Sequence, residues 1–224
     1  MSKIVIFGIG RGANVATRYL RDDSPHEIVA YTVDDAYAAI SQFMDRPVIP
    51  FSRIENEIPP RESQMFIPLG FQNMNALRAE KFAQAKEKGY TLASYVSSRI
   101  LGNEQPKFGE NCLILEGNVF NYDVTIGNDV IMWSGNHVGD LSVIEDHVFV
   151  SSQVVLSGEV TIGANSFLGV HSTISNHVRV GASCYIGANS LIAQDTAPGS
   201  VYVTKSTPKL EQIDSLRFLE IVKS

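Results

Sequence analysis

The sequence is poor in cysteine, tryptophan and charge. Two cysteines, Cys112 and Cys184, in 224 residues cannot build a disulfide framework. Charged residues make up 19% and the net charge is -6, so there is no basic surplus of the kind a nucleic-acid-binding face needs. No apolar run approaches the roughly 20 residues of a membrane span. Met1-Ser2-Lys3 leads directly into a strand-like segment without a signal-peptide pattern. No group of His, Cys, Asp and Glu has the spacing of a metal site. These absences argue against nucleic-acid, membrane, metal and secreted-scaffold classes. The expectation is a cytoplasmic globular protein, with 44% apolar residues available for its core.

What is present is a repeat. Phe108, Ile114, Phe120, Ile126, Met132, Val138, Ile144, Val150, Leu156, Ile162, Leu168, Ile174, Val180, Ile186 and Ile192 are all apolar, and each lies six residues after the last. Neither the 3.6 period of a helix nor the 2 of a strand demands this spacing. A fixed period of six is the signature of a hexapeptide parallel β-helix. Two residues before most key positions stand small or β-branched residues such as Val130, Ser142 and Cys184. Three residues after many of them come Asn111, Gly117, Asp123, Asp129, Gly135, Asn165 and Asn189. Asn, Asp and Gly accept the left-handed backbone that a corner requires. Three hexapeptides make one triangular coil, with the key side chains pointing inward. On this register both cysteines are interior. They lie four coils apart, about 19 Å at ~4.8 Å per coil, too far to bridge.

Ahead of the repeat the pattern alternates. Residues 3–7 predict a buried strand, followed by the turn Gly8-Ile9-Gly10-Arg11-Gly12 and a helix to about Leu20. A second strand over 28–33 ends at Asp34-Asp35, with a helix over 36–43 next. A third strand over 65–69 precedes a helix over about 74–88, and 91–100 link to the repeat. Such alternation predicts a small parallel, Rossmann-like α/β unit. Its glycine turn leads into a helix N-terminus, which offers free N–H groups and a positive dipole end to an anion. The acidic pair stands where such folds hold a ribose or base. The Gly8-x-Gly10-x-Gly12 spacing departs from the dinucleotide fingerprint, and the unit ends near residue 90, half the size of a dehydrogenase domain. The expected organisation is 1–90 for the nucleotide-sugar-binding unit, 91–206 for the β-helix and 207–224 for a C-terminal helix. In that last segment Leu210, Ile213, Leu216, Leu219 and Val222 form an apolar stripe expected to cover the last coil.

Three stretches carry a family resemblance: Ile4-Val5-Ile6-Phe7-Gly8, Gly89 to Ser98, and Trp133-Ser134-Gly135-Asn136-His137-Val138-Gly139 running into the repeat. Together they resemble the bacterial hexapeptide-repeat sugar acyltransferases, which include sialic-acid O-acetyltransferases and nucleotide-linked amino-sugar N-acetyltransferases. The resemblance implies a left-handed β-helix and a homotrimer with active sites between subunits. It also implies acetyl-CoA lying along the β-helix and a nucleotide-linked sugar held partly by the N-terminal unit. Carried over, Gly8, Gly10, Arg11, Gly12 and Asp34 or Asp35 face the nucleotide, and backbone at Gly158, Val170 and Ala188 meets coenzyme A. Family members usually carry a catalytic histidine just after the residue matching Gly139, often two in a row. This chain has Asp140 and Leu141 there.

Acyl transfer from a thioester needs a proton acceptor, donors for the oxyanion and a departing thiolate. His137 is the first candidate for the base, because it directly precedes a key aliphatic and so points outward. Asp140, also outward, is expected to orient it or to take the proton itself. His147, His171 and His177 fall at corner positions and read as structural, and His26 reads as the start of a strand. The leading expectation is an N-acetyltransferase acting on a nucleotide-linked amino sugar. The alternatives are O-acetylation of a sialic-acid-type sugar, and a non-catalytic sugar-nucleotide-binding protein that kept the fold.

Overall fold

The computed structural model describes residues 2–102 and 105–222. The N-terminal unit is a five-stranded sheet. Strand β1 is Lys3–Phe7, β2 Glu27–Val33, β3 Gln42–Phe43, β4 Arg46–Pro50 and β5 Gln64–Phe66, in the order β3-β4-β2-β1-β5. All pairs are parallel except β3–β4. Strand β1 lies inside the sheet between β2 and β5, with Ile4 to Phe7 all buried, as an apolar run covered on both faces must be. Helix α1, Arg11–Asp22, packs Ala13, Ala16 and Leu20 against the sheet. The short helix α2, Ile54–Glu57, and the longer α3, Ala76–Glu87, complete the unit.

The helix expected over 36–43 is absent. Asp35–Tyr37 make a single 3-10 turn, and the chain then forms the β3–β4 hairpin. Met44 and Asp45 adopt φ of 47° and 64°, the two consecutive left-handed residues of a tight hairpin turn. Val48 and Ile49 extend the sheet beside β2, and Arg46 Nε donates to the Ile28 carbonyl at 2.7 Å. The third strand is shorter than expected. Beyond Phe66 the chain leaves the sheet for the repeat: Ile67 N–H donates to Asn111 Oδ1 (2.8 Å), and Asn111 Nδ2 donates to the Ile67 carbonyl (3.2 Å).

The remainder is a left-handed parallel β-helix with three walls. The first wall has seven two-residue rungs from Tyr95–Val96 to Val201–Tyr202. The second has six from Leu101–Gly102 to Leu191–Ile192, and the third five from Lys107–Phe108 to Arg179–Val180. Each rung pairs with the one a full coil away throughout most of the repeat, as in His137↔Val155. Every key residue from Ile114 to Ile192 is buried, and Phe108 is partly buried at the open lower end. No single coil could hide its aliphatics alone; stacking does it. The corner residues are left-handed as the pattern requires, including His147, His171 and His177 at φ 58° to 62°. Both cysteines are free and buried, and Cys112 is held protonated, its thiol pushed up to about 11 by burial.

The C-terminal stripe does not cap the last coil. Helix α4, Ser215–Val222, leaves Leu216, Leu219 and Val222 exposed. Coverage comes instead from the extra rung Val201–Tyr202: Tyr185 N–H donates to the Ser200 carbonyl and Gly187 N–H to that of Tyr202, at 2.9 and 2.6 Å.

The N-terminal unit sits on the first wall. Outward-facing Leu113, Ile131, Phe149 and Phe167 share one apolar cluster with Ile6, Ala13 and Phe66. Arg78 of α3, fully buried, reaches the edge between the third and first walls. Its guanidinium donates to the carbonyls of Gly70 (3.0 Å), Asp129 (3.0 Å) and His147 (2.9 Å).

Candidate active site

In an open parallel sheet, ligands enter where the strand order reverses, outside the carboxyl ends of the strands. Here that point lies between β1 and β5, because the chain runs from β1 to β2 on one side and later to β5 on the other. A cavity of ≈ 540 Å³ opens there, between the N-terminus of α1, the 68–72 loop and the first wall. Gly8, Gly10, Arg11 and Gly12 form one side, and Leu113, Ile131, Trp133 and Phe149 form the floor. Ser151, Ser152 and Val170 reach it from the edge between the first and second walls.

Each glycine has its own reason. Gly8 turns the chain with φ 103°. Gly12 lets α1 approach the loop that follows β5 closely, since a Cβ there would collide with the Pro68 carbonyl. Gly10 has open space where a Cβ would stand. The first helical bond runs from Asn14 N–H to the Gly10 carbonyl (3.0 Å), so the N–H groups of Arg11, Gly12 and Ala13 precede it and stay available at the cavity.

Asp34 and Asp35 lie outside this cavity. Asp34 is 2.6 Å from Lys81 Nζ, and the lysine also lies 5.5 Å from the ring centres of Phe7 and Phe51. Asp35 accepts from Ser52 Oγ at 2.7 Å, and hydrogen bonds from Ser52 hold its carboxyl below the usual range. Both carboxylates are thus engaged within the unit.

An aromatic column along the first wall went unread in the sequence. Phe149 stacks on Phe167 (5.6 Å) and Phe167 on Tyr185 (4.9 Å), with Phe71 packed against both phenylalanines at 5.2 and 4.5 Å. The three wall aromatics recur once per coil, and that recurrence is the signal that would have found them. Phe71 is delivered by a strained loop, in which Asn73, Met74 and Asn75 have φ of 50°, 51° and 67°. Such residues cost about 1–3 kcal/mol each and persist only when the surroundings fix them. The buried Asn75 amide does so, donating to the carbonyls of Asn165 and Ser166 at 3.0 and 3.2 Å.

The chemical candidates lie elsewhere. His137 and Asp140 come together with Gly158 in an open groove of ≈ 420 Å³ at the edge between the second and third walls, which Ser157, Glu159, Asn176 and His177 also line. His137 stands half-buried on the second wall between Val119 and Val155, and its ring finds no hydrogen-bond partner among the described residues. The Asp140 carboxylate lies over Gly158: a Cβ there would be 3.1 Å from Asp140 Oδ1. His177 Nδ1 is 3.4 Å from Glu159 Oε2. His147 is occupied, its Nδ1 2.8 Å from Asp129 Oδ2. His171 is an exposed corner residue beside Val170, and burial pushes His26 below the usual histidine range. Val170 and Ala188 follow the first–second edge whereas Gly158 is on the second–third edge, so the three residues expected at coenzyme A do not share one edge. Among the described residues no cluster of three or more His, Cys, Asp or Glu could hold a metal, and no helix is long and apolar enough to cross a membrane.

A three-walled β-helix carrying an α/β unit with a cavity at its switch point defines a structural class, and the chain has the fold of the bacterial hexapeptide-repeat sugar acyltransferases. Perosamine N-acetyltransferase from Caulobacter crescentus, solved with CoA and GDP-perosamine and with one histidine replaced by asparagine, matches at a TM-score of 0.78. Its identity is 22%, and the match covers 90% of this chain and 93% of that one. The acetyltransferase domain of PglB from Neisseria gonorrhoeae FA1090 matches at 0.76 with 19% identity, over 90% and 96% of the two chains. WeeI from Acinetobacter baumannii AYE matches at 0.76 with 14% identity, over 91% and 97%. In sequence, 83 residues are 36% identical to the bifunctional protein GlmU of Clostridium kluyveri, covering 37% of this chain and only 17% of that protein. No family profile matches the chain.

Proposed function

We propose that the chain is an acetyl-CoA-dependent N-acetyltransferase acting on a nucleotide-linked amino sugar, working in the cytoplasm as a homotrimer. The observation that carries this reading is the division of the site between two edges of one prism. The switch-point cavity belongs to the first wall and its edge with the second. The His137–Asp140 groove belongs to the far edge of the second wall. Within one chain the exposed second wall separates them. Packing that wall against a second copy would bring the cavity of one subunit to the groove of the next, and would place Gly158 of one copy near Val170 and Ala188 of another.

In this reading Gly8, Gly10, Arg11 and Gly12 hold the nucleotide's phosphates through the α1 N-terminus. Trp133 and the aromatic column give an apolar bed to the rest of the ligand. Gly158, Val170 and Ala188 offer backbone to coenzyme A, and His137 and Asp140 flank the acceptor. Asp34 and Asp35 contribute through Lys81 and Ser52, by shaping the unit. Holding acceptor and thioester in register supplies much of the rate by itself.

A second reading rests on Asp140 and Leu141, which stand where the related enzymes usually carry histidine: a sugar-nucleotide-binding protein without turnover. O-acetylation of a sialic-acid-type sugar is the neighbouring chemistry. One experiment separates them. Acetyl-CoA is mixed with a panel of amino-sugar nucleotides and free sialic acids, and thiol release is followed. Release with amino-sugar nucleotides is expected. Release only with sialic acids would move the assignment to O-acetylation. No release, together with no coenzyme A binding by calorimetry, would leave the binding protein.

A further inference from the structure

We infer that His177, oriented by Glu159, is the proton acceptor for acyl transfer, in place of the histidine that position 140 lacks. The inference rests on the acetyltransferase reading above. His177 and Glu159 are corner residues of successive coils on one edge, at φ 61° and 59°. His177 N–H donates to the Gly158 carbonyl at 3.0 Å, which ties the histidine's backbone to the coil carrying Gly158 and Glu159. Its Nδ1 stands 3.4 Å from Glu159 Oε2, a close approach of two exposed side chains that is short of a formed hydrogen bond, and such catalytic contacts often tighten only around a substrate. A carboxylate on Nδ1 fixes the tautomer, so that Nε2 carries the free lone pair.

The other candidates in the groove lack this arrangement. His137 has no partner to orient it, and Asp140 is folded against Gly158. The titratable groups lining the groove are His137 on the second wall and Asp140, Glu159 and His177 on the edge, and among them only Glu159 and His177 stand within ion-pair distance of each other. Corner histidines elsewhere contrast with it: His147 is consumed by Asp129, at the edge where α3 docks.

The step balances with acetyl-CoA as the co-reactant. The neutral amine nitrogen of the sugar attacks the thioester carbonyl carbon. A C–N bond forms, the C–S bond breaks, and the nitrogen's proton passes to His177 Nε2. The imidazolium then gives that proton to the departing thiolate, leaving an amide and coenzyme A thiol. Glu159 stays ionised and stabilises the imidazolium.

The test uses the full chain with whichever acceptor gives release. Asn tolerates a left-handed corner, so His177→Asn removes the imidazole without disturbing the turn. His177→Asn should lower kcat about a hundredfold, leave KM and coenzyme A affinity within threefold, and abolish the rising limb of kcat/KM with pH. Glu159→Gln should give a smaller loss and shift that limb. Turnover of His177→Asn within a few-fold of wild type with the limb intact would overturn the assignment. So would loss of the limb in His137→Ala or Asp140→Asn instead. An inert wild type would sink the acetyltransferase reading and this inference with it, whereas an active wild type with an active His177→Asn sinks the inference alone.

Discussion

Arg78 Nε stands 3.1 Å from Asp129 Oδ2, and both side chains are completely buried, one on the α/β unit and the other on the β-helix. Burial pulls Arg78 below its ordinary range, and the Asp129 charge opposes that pull. Asp129 also accepts from Asn111 Nδ2 at 2.6 Å and pairs with His147. The pair thus joins the wall that carries the cavity floor to the helix that follows the 68–72 loop.

Removing one partner leaves an unpaired buried charge. Arg78→Met should therefore destabilise the protein by about 3–5 kcal/mol, read as a shift of the urea unfolding midpoint. Arg78→Lys should not rescue it, since an ammonium cannot reproduce the planar fork that meets several carbonyls at once. Arg78→Met combined with Asp129→Asn should recover part of the loss, because the stranded charge is gone. An Arg78→Met protein as stable as wild type would show that the junction is held by its apolar contacts alone.

The β-helix was legible because one rule repeats: an aliphatic every sixth residue can only be an inner stack, and Ile114 to Ile192 all obey. The glycine turn was legible because Gly8 and Gly12 answer to backbone geometry. Arg78 and Lys81 were not, since Arg78-Ala79-Glu80-Lys81 reads as the solvated face of a helix. Their burial depends on tertiary contacts to residues 51 and 47 positions away. A trace of it stood in the repeat: Asn111, Asp129, His147 and Asn165 recur once per coil, but polar residues at left-handed corners are expected with or without a docked partner, so the column did not single out the edge that α3 covers. The hairpin at 42–50 was hidden by Met44 and Asp45, neither of which announces a left-handed turn as strongly as glycine. The terminal stripe was read by its period, which cannot say what covers it.

Acid should weaken one tether selectively. Asp23, just after α1, accepts from Ser98 N–H (2.8 Å), Tyr95 Oη (2.8 Å) and Ser97 Oγ (3.2 Å). These bonds, led by those from Ser98, hold its carboxyl well below the usual range. Its folded value lies under the unfolded one of about 3.9. The stabilisation is therefore complete above that value and is lost as pH falls below it toward the folded one. Asp23→Asn should melt lower than wild type at pH 7, and the gap should close as the pH drops below about 4. A gap constant from pH 7 to pH 3 would remove Asp23 from the acid response.

Gly10 and Gly12 should separate binding from folding. Gly12→Ala puts a methyl against the Pro68 carbonyl, an overpacking that costs about 1–3 kcal/mol and should show as a lower melting temperature. A Cβ at Gly10 meets no neighbour within 4 Å, so Gly10→Val should spare stability and coenzyme A affinity while weakening nucleotide-sugar binding. Unchanged sugar-nucleotide affinity in calorimetry would take the phosphates away from the α1 N-terminus.

The second wall offers a test of the shared site. Its outward residues include Leu101, Val155 and Leu191, exposed at 60%, 38% and 67%. Leu141 beside it is exposed and left-handed, where Asn or Gly would fit without strain. Apolar side chains on a flat wall, with another at its corner held in an unfavourable conformation, make sense if a second copy covers them. Leu191→Glu places a carboxylate on that wall once per copy, and burying it unpaired would oppose association. Because the residue is exposed in the single chain, the fold should tolerate the change, seen as an unaltered far-ultraviolet spectrum. Sedimentation is then expected to show trimers for the wild type and monomers for the variant, and turnover should fall by at least tenfold, since in the proposed arrangement each active site would lose half its parts. A monomeric Leu191→Glu protein with full turnover would place the whole reaction within one chain, and the divided site would have to be abandoned.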